Sequence, residues 1–294
     1  MDAESSTKVA ALLLLILAVL GIFGNGNIVA ATYRNRSLRS TCNTFIALTA
    51  LADIVHQFGI FLLAYTVFTT TFTPAALCFK LQVVPSFGCS CSSMLLLITS
   101  IDRLVCIANP KVYEKKKKSA ILYWGLVVTV LVSGVFPVIS YLKMDDTPRI
   151  CSPLQDMPLT VLPLYFMFNF VVIMMTLIAY LIIWINVRHK NYRKSKQLLR
   201  SITAISLCIC CGWLLNMTIG VAVTKLMVSI DYSIPLFIGM LMNISIVLNY
   251  PLLFTLSRDY NTAFTEQLRI IMCNKLPVQQ KIENHTVLSL RSLY

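Results

Sequence analysis

Seven apolar runs divide this chain, at 9–33, 43–68, 78–106, 119–142, 159–187, 197–223 and 232–257. A bilayer core of roughly 30 Å takes about 20 helical residues to cross, and every run is long enough. Inside lipid each backbone N–H and C=O must be satisfied within the protein, so a span is a helix or a strand of a closed barrel. None of the runs alternates apolar and polar residues as barrel strands do. Apolar residues make up 57% of the chain and charged ones 13%, more apolar than any soluble core requires. The sequence therefore predicts an all-α membrane protein, a seven-transmembrane helix bundle with a short amphipathic eighth helix. The expected divisions are an outer N-terminus at 1–8, the bundle at 9–257, the amphipathic helix at 258–271 and a flexible tail at 272–294. The first run is too long for a signal-peptide core. With 294 residues, there is no room for a separate soluble domain.

The basic residues orient the bundle. Of the 25 lysines and arginines, only Lys8, Lys80, Lys143, Arg149 and Lys225 fall on one side. The rest gather in the loops and tail on the other side, which is cytoplasmic by the positive-inside rule. The N-terminus is thus expected outside and the C-terminus inside, in a multi-pass protein of the plasma membrane. The basic runs are short loops pressed against anionic lipid, so no nucleic-acid partner is expected. This topology also sorts the ten cysteines. Cys42, Cys106 and Cys273 lie at the reducing face, and five more lie inside spans. Only Cys78 and Cys151 face an oxidising compartment, so they are expected to pair. Their bridge would tether the second outer loop across the bundle mouth.

Polar residues inside the bilayer mark candidate sites. Asp53, His56 and Gln57 follow i, i+3, i+4 spacing and share a helix face that must point inward. Asn25 and Ser92 are candidate hydrogen-bond partners for Asp53. The group reads either as a proton or sodium site coupled to helix movement or as a structural polar knot. No second histidine or thiolate stands at ligand spacing around His56, so no metal centre is expected. In the third span Gln82, Pro85, Ser86, Cys89, Ser92, Ser93, Leu96, Ser100 and Arg103 trace one face, with Pro85 expected to kink the helix. Its outer part, with Trp213, Asn216, Met217 and Met240, is a candidate ligand pocket between helices; core packing is the plainer alternative for each residue. At the inner end Asp102 can hold the guanidinium of Arg103 until a partner enters.

Gly212 beside Trp213 leaves the indole room to change rotamer, and Leu248-Asn249-Tyr250-Pro251 predicts a bend in the last span. Tyr260, Phe264, Leu268 and Ile271 share a face of the amphipathic segment, expected to lie on the inner membrane surface. Cys273 is a candidate palmitoylation site. The triplets at Asn35 and Asn284 are on the wrong side of the membrane for glycosylation.

Together these residues resemble the rhodopsin-type G-protein-coupled receptors. Gly24-Asn25, Leu51-Ala52-Asp53, Asp102-Arg103-Leu104, Trp124, Trp213, Pro251 and the Cys78–Cys151 pair match that group's motifs in order. Ala31-Thr32-Tyr33-Arg34, Leu38-Arg39-Ser40-Thr41-Cys42-Asn43 and Asp53-Ile54-Val55-His56-Gln57-Phe58-Gly59 are more narrowly similar to the nematode serpentine chemoreceptors of class SX. The Gly212-Trp213 and Asp259-Tyr260 pairs agree. The resemblance implies a receptor that binds an extracellular small molecule or peptide in its outer half and activates a heterotrimeric G protein at its inner face. The implied switch comprises Asp102, Arg103, Tyr180, Asn249, Pro251 and Phe254. Trp213 would sense the ligand, and Asn25, Asp53 and Ser92 would form a sodium pocket; no other cofactor is implied.

Departures from the pattern bear on mechanism. Leu215 and Val172 stand where prolines are usual, Tyr250 and Phe254 replace an asparagine and a tyrosine, and Asn249 sits one position early. Lys194-Ser195-Lys196 offers no acid to Arg103, which predicts ligand-independent activity. Pro85 occupies the position where amine receptors carry an aspartate, disfavouring an amine. The last span has no lysine, which excludes a retinal Schiff base. The competing reading is a channel or proton-coupled carrier built on Asp53 and His56. It needs a polar path through an inner half lined by Leu, Ile and Val. An intramembrane enzyme lacks a serine–histidine or aspartate pair at the required spacing.

Overall fold

The structure, a computed structural model, describes residues 3–115, 117–144, 150–153, 157–158, 160–189, 207, 210–220, 222 and 233–271. The helices are α1 (Ala3–Arg34), α2 (Thr41–Phe68), α3 (Ala75–Ala108), α4 (Pro110–Lys115), α5 (Lys118–Leu142) and α6 (Leu162–His189). They are followed by α7 (210–220), α8 (Ser233–Leu256) and α9 (Arg258–Ile271). Among the described residues there is no strand, and six helices are long and apolar enough to cross a membrane. The sixth of the seven spans is represented by α7, and its inner part, with Ser195, lies outside the described residues. The chain is thus a seven-transmembrane helix bundle with a short amphipathic helix after it.

Local chemistry sets the helix ends. Ser40 caps α2, its hydroxyl accepting from the Asn43 N–H at 3.3 Å, and Pro110 opens α4, where the missing N–H costs nothing. The helix α1 begins earlier than its apolar run, because Lys8 pairs with Glu4 one turn back at 2.6 Å. Residues 3–8 are therefore helical, not a loose outer segment. Pro85 lies inside α3, which continues through it as helix. Large apolar side chains cover the periphery of the long helices, while the interior mixes large apolar side chains with nearly all the buried polar ones.

The amphipathic helix packs part of its apolar face on the bundle: Tyr260, Ala263 and Phe264 are buried. The Phe264 ring lies 4.5 Å from that of Tyr250 and stacks with Phe254 at 6.1 Å. The Tyr260 hydroxyl lies 3.1 Å from that of Thr32 in α1. Burial holds the Tyr260 phenol up at about 12, so it stays protonated. Cys273 and the tail lie outside the described residues.

Candidate functional site

At the outer end Cys78 and Cys151 form the expected disulfide, with Cα atoms 5.4 Å apart. The bridge draws Cys151, Ser152 and Pro153 into the bundle, where all three are buried. Gln82 Nε2 donates to the carbonyls of Gly59 (3.0 Å) and Cys151 (3.3 Å), and the Ser86 hydroxyl donates to the Pro153 carbonyl. Gly59 admits the loop: a Cβ there would lie 2.8 Å from Pro153 Cγ and 2.7 Å from Pro85 Cβ. Gln82 and Ser86 therefore hold the second outer loop, with Pro85 against the same Gly59.

Below the loop the remaining pocket candidates separate. Cys89, Trp213, Met217 and Met242 are buried in one apolar cluster with Tyr165 and Phe166. The Tyr165 hydroxyl lies 3.4 Å from Cys89 Sγ, and that sulfur lies 3.9 Å from Met242 Sδ. Asn216 joins α7 to α8 by donating to the Ile238 carbonyl at 2.8 Å. Met240 packs elsewhere, against Leu14, Ile60 and Leu236 on the α1–α2 side, so it does not share the Trp213 cluster. The space beside Gly212 is filled as well. A Cβ there would lie 1.6 Å from the Ser245 hydroxyl, so this glycine lets α7 and α8 approach and leaves the indole no extra room.

At mid-membrane both Asp53 oxygens are engaged. Ser92 donates to Oδ1 at 2.5 Å and Asn249 Nδ2 to Oδ2 at 3.2 Å. Asn249 takes the place expected of Asn25, whose buried amide has no hydrogen-bond partner. The polar stripe of α2 also splits. Gln57 lies over Gly21 of α1, where a Cβ would fall 2.1 Å from Nε2. The Gln57 side chain is buried without a hydrogen bond among the described residues, and His56 is buried beside the Pro85 backbone.

At the inner end Asp102 and Arg103 do not pair; among the described residues the salt bridge is Lys8–Glu4. Consecutive helix residues point about 100° apart, which separates the two side chains. Asp102 instead accepts from the Tyr113 hydroxyl of α4 at 2.8 Å. Burial and the Asp102 carboxylate push the Tyr113 phenol up to about 12, so it is a donor throughout the physiological range. Arg103 lies among Tyr113, Tyr180 and Tyr260, and its Nε is buried without a hydrogen-bond partner. Tyr180 packs with Ile107 and Ile183, Phe254 packs on Phe264, and Pro251 lies within α8.

Residues 18–268 match the family described as serpentine type 7TM GPCR chemoreceptor Srsx. The chain belongs to that family. As an Srsx receptor it also shows a distant likeness to a Dopamine D2-like receptor of Drosophila melanogaster, 28% identical over 145 residues. That match covers 47% of this chain and 16% of the relative, so the chain spans well under two thirds of the protein it resembles. In this Srsx receptor Tyr113 is the contact of Asp102 that sequence reasoning missed. It sits in a lysine-rich run that reads as a solvated loop, and only Pro110, a helix-opening residue three before it, signals the ordered turn that aims it at Asp102.

Proposed function

We propose that this receptor binds an extracellular ligand among α3, α6, α7 and α8 and activates a heterotrimeric G protein through its cytoplasmic face. What supports this reading is the state of Arg103: a guanidinium at the inner end of α3 whose carboxylate neighbour is taken by another residue. A half-buried arginine with an unpartnered Nε suits capture of carbonyl or carboxylate groups from an inserted partner segment. Cys89, Trp213 and Met217 would lie under the ligand, and Asn249 and Pro251 would carry a change in α8 to Asp53. Nothing in the fold or the comparisons supports the transporter reading. The basic loops and tail place the C-terminus inside in this proposal.

A sodium ion near Asp53 belongs to this reading, since hard cations take oxygen ligands and the Asp53 carboxylate and the Ser92 hydroxyl are buried together. Exchanging sodium for choline tests it; agonist affinity indifferent to the exchange removes the ion. The receptor reading is tested by guanine-nucleotide exchange on purified G proteins, with volatile, lipid and peptide pools applied to the wild type and to Arg103→Ala. Exchange driven by the wild type and lost in the variant is expected. Exchange that is absent throughout, or unaffected by Arg103→Ala, overturns it.

A further inference from the structure

The outer half of the bundle holds buried carboxamides whose nitrogens are already committed. Gln82 Nε2 serves the Gly59 and Cys151 carbonyls, Asn216 Nδ2 the Ile238 carbonyl, and Asn243 Nδ2 the Gly239 carbonyl at 2.9 Å. Turning any of these amides over would set a carbonyl oxygen against a carbonyl oxygen, so the bonds fix which atom is left over. It is the oxygen in every case: Gln82 Oε1, Asn216 Oδ1 and Asn243 Oδ1 are buried and accept from nothing among the described residues. An unmet buried acceptor is costly and calls for a donor.

Like Asn243, which follows Met242, Asn216 borders the apolar cluster. It lies one turn beyond Trp213 and next to Met217, both fully buried with Cys89 and Met242. Those side chains offer polarisable, uncharged contact. Among the described residues the outer halves of α3, α6, α7 and α8 contain no carboxylate. An ammonium group entering there would surrender its hydration with no counter-charge to replace it. A ligand lacking any donor would leave Asn216 Oδ1 unmet.

We infer that the ligand is a small uncharged molecule with an apolar body and a hydrogen-bond donor, such as an alcohol, a phenol or a secondary amide, whose donor is accepted by Asn216 Oδ1. The inference rests on the reading that a ligand sits in the outer half, and it departs from the amine that the relative's name suggests.

The test titrates the full-length receptor in nanodiscs with matched probes: phenethyl alcohol, phenethyl methyl ether and phenethylammonium chloride, and the corresponding hexyl series. Binding is read from the rise in melting temperature, which reports affinity without signalling. The alcohols are expected to bind about tenfold more tightly than the ethers and the ammonium ions, the worth of one buried hydrogen bond. Asn216→Leu should bring the alcohol-to-ether ratio close to one, with the ether's own affinity reporting that the variant is folded. Asn216→Asp should reverse the order in favour of the ammonium probe. Ammonium binding as tight as alcohol binding, a ratio that survives Asn216→Leu, or no alcohol binding in either series would overturn the inference. Loss of all nucleotide exchange with the binding ratios intact would instead sink the receptor reading and leave this one standing.

Discussion

At its outer end α3 is tied to the second outer loop by the Cys78–Cys151 bridge and by bonds from Gln82 and Ser86. At its inner end Asp102 is held by one phenol and Arg103 Nε by nothing. The two ends differ in chemistry as well as in number of contacts. The outer attachments include a covalent link and backbone carbonyls, which do not titrate and have nowhere else to go. The inner attachment joins a side chain to a short helix of a surface loop, which opens at far lower cost than a packed helix. In a bundle built this way the outer end of α3 is the fixed scaffold and the inner end is the more loosely held.

That contrast can be broken most severely at the disulfide. Replacing Cys78 and Cys151 together by serine should destabilise the receptor by up to roughly 4 kcal/mol, an upper bound because insertion already restrains the unfolded chain. The melting temperature in nanodiscs should fall by several degrees; an unchanged value would mean the loop is held by its hydrogen bonds alone. A smaller loss is expected from Gln82→Leu, which strips two backbone carbonyls of their donor at about 1–3 kcal/mol. It should lower the melting temperature and leave basal nucleotide exchange alone. A marked change in exchange would show that the scaffold is part of the switch. The smallest effect is the most diagnostic for the inner end. Tyr113→Phe removes about 1 kcal/mol of hydrogen bonding and unties the inner end of α3 from α4, so basal exchange should rise roughly fivefold. Because the Tyr113 phenol is raised to about 12, its donor is present below that pH and is lost only above it. Basal exchange should therefore show no titration from this bond between neutral and mildly alkaline pH, and a step there would contradict the assignment.

The parts of the molecule that follow from periodicity and compartment were legible before any coordinates. Helix lengths, the pairing of Cys78 with Cys151, and the Asp53–Ser92 contact all come from rules that depend on one residue's depth in the membrane. Contacts that depend on helix rotation were not. Asn25 and Asn249 are both asparagines near the depth of Asp53, and only the relative rotation of α1 and α8 decides which one reaches it. The hold of Gln82 and Ser86 on the second outer loop was not legible either, because a sequence does not show where a loop tethered at one cysteine will settle. The Asp102–Arg103 pairing was a different kind of miss: adjacent helix positions diverge, and that geometry argued against the clasp from the start. The docking of α9 on the bundle was not legible because an apolar stripe does not say how much of it protein will cover.

That docking has a mechanical result. Phe264 presses on Tyr250, Tyr250 fills the hollow at Gly24, where a Cβ would stand 2.8 Å from its own, and the next residue back, Asn249, grips Asp53. Whatever pulls α9 sideways thus tugs a short train of rings whose far coupling is the Asp53 carboxylate.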